Sequence, residues 1–202
     1  ENYFCSETPN IYTFFPALGL KSPFPAFLHA TLLLTDNRND LDLSSEGSKK
    51  NNKEIFKKLL DFYIATIIEN YDKENRLKLL MPFSIPANHN DKFTFNESIG
   101  KLGIEDYFIN ECKYREILFT VNENYIRGID SPIILDSFPS LDNFKGENFN
   151  KLIKFIGDEK LRGFAKRIAK MDNNIEKYLY EAINKSSDNW NVEVRIKTFK
   201  WW

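Results

Sequence analysis

The sequence predicts an α/β (α+β) fold, in which a mixed sheet is packed by a long amphipathic helix and followed by a mainly helical part that ends in a strand. Three patterns support this prediction. Strand-like apolar runs surround a polar loop near the start, apolar residues recur at helical spacing from about Asn52 to Tyr71, and polar and apolar residues alternate from Trp190 to Trp202.

The first elements predicted are short strands. Ile11 to Phe15 is rich in β-forming residues and ends at Pro16, and Ala26 to Leu34 is a second strand-like run. A polar loop from Thr35 to Asp40 follows and contains Arg38. The next stretch, Ser44 to Lys53, has the Ser, Gly, Lys and Asn content of a mobile surface connection.

The long helix is predicted to begin at about Asn52, where apolar residues start to recur at the spacing of one helix face. A broad apolar face of this kind packs across a sheet, because each layer then buries its apolar side against the other. The apolar positions are Ile55, Phe56, Leu59, Leu60, Phe62, Tyr63, Ile67 and Tyr71.

Two segments are predicted: residues 1–85, an α/β segment, and residues 86–202, a mixed α+β segment, with a junction between Pro82 and Lys92. In the second segment Asn96 is a candidate N-cap for a short helix that ends before Gly103, and Ile104 to Asn110 begins another. Strands are predicted at Glu116–Val121 and Pro132–Leu135, helices at about 148–156, 158–171 and 173–184, and a final strand at 190–202.

Composition excludes several classes of function. The 202 residues include 42% hydrophobic and 28% charged side chains, typical of a globular chain with a real core. The 28 Lys and Arg residues against 29 Asp and Glu give a net charge of -1, which argues against broad binding to nucleic acids or anionic membranes. No apolar run is long enough to span a bilayer, and the segment from Glu1 to Asn10 lacks the basic and apolar regions expected of a signal peptide.

The sequence contains few residues that could bind a metal or act as a nucleophile. The two cysteines (Cys5 and Cys112) and two histidines (His29 and His89) are too few for a tetrahedral metal site of ordinary spacing, so no metal is predicted. A reducing cytoplasm is the simplest compartment, although a disulfide between the cysteines stays open. His29 is predicted to be a core residue, because no nucleophile and carboxylate accompany it.

The opening of the chain resembles a known family. The matching stretches are IYTFFP from Ile11 to Pro16, SPFPAFLHA from Ser22 to Ala30, and LLLTDNR from Leu32 to Arg38. Their order resembles a segment of sacsin-like and other heat-shock-ninety-like proteins of the GHKL superfamily, where it follows the ATP-binding domain. The resemblance covers about the first third of the chain, and Ala30 and the polar insertion from Asp42 to Asn52 depart from the family pattern.

The resemblance implies a function. In the chaperones of that superfamily, a strand, a polar loop with an arginine and a long helix belong to a middle domain, and the arginine reaches the γ-phosphate of ATP held by the preceding domain. By position, Arg38 would be this phosphate sensor, flanked by Asn37 and Asn39. The partner would be the neighbouring ATP-binding domain. ATP and Mg²⁺ would belong to the parent protein rather than to this chain, which has no Walker loop or complete active site.

Alternative interpretations stay open. The chain begins at Glu1 rather than Met, and we expect it to be a piece of a longer protein. In the alternative interpretation Arg38 only pairs with Asp36, Asp40 or Asp42, an interaction worth little. The chain would then be a scaffold that binds protein or nucleic acid. A protein client and self-association are further candidates. Basic residues between Lys160 and Lys170 are either a phosphate contact or a solvated helix face.

Overall fold

The computed structural model describes residues 8–13, 15–137 and 150–170. In these ranges the chain is an α+β protein with two small sheets, which confirms the predicted class. The elements in chain order are β1 (Asn10–Tyr12), β2 (Pro16–Lys21), β3 (Leu28–His29), α1 (Glu46–Asn70), α2 (Lys73–Leu80), α3 (Glu97–Gly100), α4 (Glu105–Tyr114), β4 (Glu116–Phe119), β5 (Tyr125–Arg127), a 3₁₀ turn (Gly128–Asp130) and α5 (Glu159–Ile168).

The first sheet is mixed, as predicted. Its central strand β1 pairs antiparallel with β2 and parallel with β3, and Ile11 lies opposite Ala17 on one side and Leu28 on the other. Pro16 was predicted to follow a strand, but it begins β2, a place where its missing N–H is tolerated. Only two residues of the run Ala26–Leu34 form β3, so that predicted strand is much shorter than expected.

Helix α1 begins six residues earlier than predicted. Its N-cap is Ser45, whose Oγ accepts a hydrogen bond of 3.0 Å from the Ser48 amide, and Glu46 places negative charge in the first turn. The prediction of a mobile connection over Ser44–Lys53 was therefore wrong. The first two turns are polar because most of their side chains face solvent, although Asn52 is fully buried.

After α1, the short helix at Asn96, the helix from Ile104, the strand from Glu116 and the helix over 158–171 are present with changed bounds, whereas α2 and β5 were not predicted. Helix α3 is one turn long, and Gly103 has the φ of +58° expected after a helix end. Asn96 lies at the N-cap of α3 without a side-chain capping bond. Helix α5 lies within the range predicted for it, 158–171. It begins after Asp158 because the Asp158 carboxylate caps it, accepting a 2.9 Å hydrogen bond from the Leu161 amide.

The second sheet contains β4 and β5, and β4 confirms the strand predicted from Glu116. The strand predicted at Pro132–Leu135 is reduced to a single bridge between Ile133 and Leu152. The helix predicted over 148–156 was wrong for the residues described from 150 onward. Leu152 and Ile153 are extended and form bridges, because the β4 side of the sheet offers them backbone partners.

One apolar core joins the described elements. Phe24, which follows β2, has its ring centroid 4.7 Å from that of Tyr63 on α1, and 6.0 and 5.2 Å from those of Phe95 and Phe108. The core thus includes residues on both sides of the boundary predicted at 85, which stays a prediction. The helix predicted at 173–184, the strand at 190–202 and Cys5 lie outside the described residues.

A search of the described helices found none with the length and apolarity needed to cross a membrane.

Candidate functional site: the arginine hairpin

Arg38 lies at the tip of a β-hairpin formed by Leu33–Asp42, which we call the arginine hairpin. Leu34 and Leu41 form an antiparallel bridge, and the Thr35 amide donates a 2.9 Å hydrogen bond to the Asp40 carbonyl. Leu41 is buried, so the base of the arginine hairpin belongs to the core. The sequence prediction of a polar loop between two rigid elements is therefore correct in its position.

Side chains of the hairpin itself fix the shape of its tip. The Oδ1 atom of Asn37 accepts hydrogen bonds from the Thr35 hydroxyl at 2.7 Å and from the Asn39 amide at 3.1 Å. The Arg38 amide donates to the Thr35 carbonyl at 2.7 Å. This is an Asx-type turn, in which a short amide side chain replaces a backbone partner. Asn37 thus shapes the loop through its side-chain carbonyl oxygen.

Arg38 combines an unusual backbone conformation with an unpaired charge. Its φ is 57°, in the left-handed region that glycine and asparagine occupy more readily than arginine. Its side chain is exposed and forms no ion pair or hydrogen bond with any residue in the described ranges. Pairing with Asp36, Asp40 or Asp42, the simplest alternative role, does not occur there.

A glycine on β2 supports the tip from below. A Cβ atom at Gly19 would lie 2.3 Å from the carbonyl oxygen of Asn39, so only a residue without a side chain allows this approach. The predicted flanking residue Asn39 therefore meets the first sheet through its backbone. Sequence reasoning missed Gly19, because nothing in the spacing of the chain indicates this contact.

Replacing Gly19 with alanine should displace the arginine hairpin. Because the opposing atom belongs to the backbone, the loop must shift, and we expect a loss of about 1–3 kcal/mol in unfolding free energy. Amide chemical shifts of Thr35–Asp40 and a urea titration would measure both effects. Gly47→Ala is the matched control: its Cβ would meet only the Ser45 Oγ at 3.7 Å, so stability should be unchanged or higher. Equal behaviour of the two variants would contradict the contact.

Asn52 on α1 joins the two arms of the arginine hairpin. Its Oδ1 accepts a 2.7 Å hydrogen bond from the Leu33 amide, and its Nδ2 donates to the carbonyls of Leu33 at 2.9 Å and Asp42 at 3.0 Å. Sequence reasoning missed this residue too. A signal was present, since Asn52 stands one turn before Phe56, in phase with the apolar face that continues at Leu60.

The other candidate residues lie apart from this site. His29 is exposed on β3, which corrects its prediction as a core residue: successive side chains of a strand alternate, and Leu28 takes the buried side. Cys112 is a buried free thiol, and burial raises its pKa. No three His, Cys, Asp or Glu side chains in the described ranges are grouped so that they could hold a metal ion.

The basic residues of α5 are partly neutralised. Lys166 and Arg162 both pair with Asp136. The Nε atom of Arg162 lies 3.7 Å from the Oδ1 atom of Asp136. The Arg167 guanidinium donates to the Asn88 carbonyl at 3.2 Å. Burial and the nearby charges of Lys166 and Arg167 lower the pKa of His89. The face is therefore built largely from internal contacts.

The shifted pKa of His89 predicts a pH dependence of stability. The unfolded histidine takes up a proton near its ordinary pKa of 6.5, whereas the folded one does so only at lower pH. Folding stability from this residue is thus present above pH 6.5 and declines as the pH falls through the range below it. Urea titrations from pH 7.5 to 5 should show a smaller decline for His89→Gln than for the wild type. Parallel curves would contradict the assignment.

The fold and site define an α+β protein with an arginine presented at the tip of a hairpin. No protein-family model matches the chain, and comparisons with curated proteins and with solved structures found no significant match.

Proposed function

We propose that this chain is the region after the ATP-binding domain of a heat-shock-ninety-like ATPase, and that Arg38 contacts ATP held by that neighbouring domain. The order of elements supports the proposal. A short mixed sheet leads to a polar loop with an arginine, and the long helix α1 follows, as in the middle domains that the opening sequence resembles.

The state of Arg38 is the observation that carries the proposal. The left-handed conformation of Arg38 costs the fold about 1–2 kcal/mol relative to the right-handed one. Because the exposed guanidinium has no carboxylate partner in the described ranges, all of its N–H donors are available to bind an anion. A planar guanidinium matches phosphate oxygens well, since it donates two parallel hydrogen bonds.

Phosphoryl transfer provides a role for such an arginine. Negative charge on the γ-phosphate oxygens must be stabilised in the transition state, and the catalyst acts mainly through position and positive charge. An arginine supplied by a second domain also links the nucleotide state to domain arrangement. In this proposal ATP and Mg²⁺ bind to the neighbouring domain in the cytoplasm, and this chain transmits the change without hydrolysing ATP alone.

Turnover measurements test the proposal. We would compare ATP hydrolysis by the 202-residue chain, by the full-length protein to which the proposal assigns it, and by the Arg38→Ala form of that protein. The expected result is turnover by the full-length protein only, with a large loss in the variant while nucleotide binding persists. Equal turnover by the variant and the wild type would refute the sensor role.

A protein-binding module is the second candidate, and exposed aromatic side chains favour it. Phe15 is 68% exposed and Phe27 62% exposed, and the Phe27 ring makes an edge contact with that of Tyr12, at 5.8 Å between centroids. Aromatic residues are enriched at protein interfaces, so a protein client or a second copy would find contacts here. In that case Arg38→Ala would leave ATP turnover unchanged, and Phe27→Ser would weaken association.

A further inference from the structure

The side-chain carboxamide of Asn52 replaces one missing backbone hydrogen bond between the two arms of the arginine hairpin. An antiparallel pair normally exchanges two hydrogen bonds between opposite residues. At Leu33 and Asp42 one bond is direct, from the Asp42 amide to the Leu33 carbonyl at 2.9 Å. The reciprocal bond is absent; the Leu33 amide donates to the Asn52 Oδ1 instead, and the Asn52 Nδ2 donates to the Asp42 carbonyl.

Burial makes this insertion specific. Asn52 is 0% exposed, and its two amide hydrogens and its carbonyl oxygen all have partners in the arginine hairpin. A buried polar group that loses a hydrogen-bond partner has no water to replace it, so breaking any of these bonds is costly. The positions of Asn52 and of both hairpin arms are therefore strongly restrained. Asn52 in turn lies on α1, in phase with the buried Phe56 and Leu60, and therefore moves with the core.

We infer that Asn52 is the positioning residue for Arg38: it couples the arginine hairpin to α1, so that the backbone that carries Arg38 is held in one place. The inference rests on the proposed function for its catalytic consequence, but the structural coupling stands independently of it. Gly19 supports the tip and Asn52 fixes the arms, and together they link Arg38 to both the first sheet and the long helix.

Misplacing a group that stabilises a transition state by about 1 Å costs about 10²-fold in rate. Asn52→Ala in the full-length protein should therefore lower kcat by about that factor and leave KM for ATP nearly unchanged. In an Arg38→Ala background the same substitution should have little further effect, because a loop without its arginine has nothing left to position. A general loss of folded protein would instead lower both backgrounds equally.

Hydrogen exchange on the 202-residue chain tests the coupling without ATP. In Asn52→Ala we expect exchange at the amides of Leu33, Thr35 and Asp42 to accelerate by about tenfold or more, while α1 amides near Ile67 keep their protection. Tyr63→Phe is the matched control, since it removes one buried hydrogen bond from the same helix, the 2.6 Å bond to the Leu79 carbonyl. That control should leave the arginine hairpin protected.

An isosteric variant guards against poor folding of Asn52→Ala. Asn52→Leu fills nearly the same volume without the carboxamide and without burying a charge, so it should loosen both arms of the arginine hairpin with little change in packing. Unchanged hairpin exchange in both variants would overturn the inference. Loosened exchange with unchanged kcat would also overturn it, provided that Arg38→Ala is slow. Unchanged kcat in Arg38→Ala would refute the proposed function, and hydrogen exchange would still decide the coupling.

Discussion

Replacing Arg38 with asparagine should leave the fold at least as stable as the wild type while removing the contribution of this residue to ATP hydrolysis. The stability result follows from the φ of 57° at this position, which asparagine adopts more readily than arginine. The side chain has no partner in the described ranges to lose. We expect the unfolding free energy to stay constant or to rise by up to about 1 kcal/mol.

The expected effect on catalysis is large. Removing one preorganised donor from a transition-state oxyanion commonly costs about 10²- to 10³-fold in kcat. Arg38→Lys is the matched control, because it keeps the positive charge but loses the planar fork, and its kcat should lie between those of the wild type and Arg38→Asn. Urea titration of the 202-residue chain and steady-state ATP hydrolysis by the full-length protein supply the two readouts. A marked loss of stability without a loss of turnover would assign Arg38 a structural role.

The second large effect is expected from replacing Arg76, and it concerns the stability of the fold. It is 8% exposed, and its guanidinium donates hydrogen bonds to three carbonyls: Ile68 at 2.7 Å, Tyr71 at 3.1 Å and Glu116 at 2.7 Å. It also lies over the Tyr125 ring, with 3.8 Å from Cζ to the ring centroid. These contacts satisfy carbonyls at the end of α1 and connect that end to the second sheet.

Arg76→Ala should lower the unfolding free energy by about 3–5 kcal/mol, because three carbonyls lose charge-assisted partners and the ring loses its cation. Arg76→Lys should recover only a small part, since one ammonium cannot reach three divergent carbonyls. Arg127→Ala is the surface control: in the described ranges the half-exposed side chain of Arg127 forms its ion pair with Asp130, at 3.0 Å, so its loss should be small. Equal urea midpoints for Arg76→Ala and Arg127→Ala would contradict the structural role.

Local patterns predicted much of the fold. The period of the apolar residues located α1 from Asn52 onward, and apolar and charged residues at helical spacing located α5 within the predicted range 158–171. The start of α1 was missed because its first turns carry Ser, Lys and Asn residues that face solvent, and composition alone does not distinguish such a surface from a loop. The 148–156 region was misassigned because its backbone partners lie elsewhere in the chain.

In the candidate site, too, features that depend on neighbouring residues were predicted and features that depend on distant contacts were missed. The sequence predicted the polar loop that contains Arg38, since its composition depends on neighbouring residues. The roles of Gly19 and Asn52 depend on contacts across 20 and 19 positions of the chain, from Gly19 to Asn39 and from Leu33 to Asn52. Only the phase of Asn52 on the apolar face hinted at its role, because a polar residue in that position must find buried partners.

Chemical rescue tests the central claim most directly. Full-length Arg38→Ala protein would be assayed for ATP hydrolysis with increasing guanidinium chloride, kept far below denaturing concentrations, and with NaCl at equal ionic strength as control. If the Arg38 guanidinium stabilises the transferring phosphate, kcat of the variant should rise with guanidinium and not with sodium, while the wild type gains nothing. A variant as fast as the wild type without rescue would contradict the claim, as would a slow variant that guanidinium fails to restore.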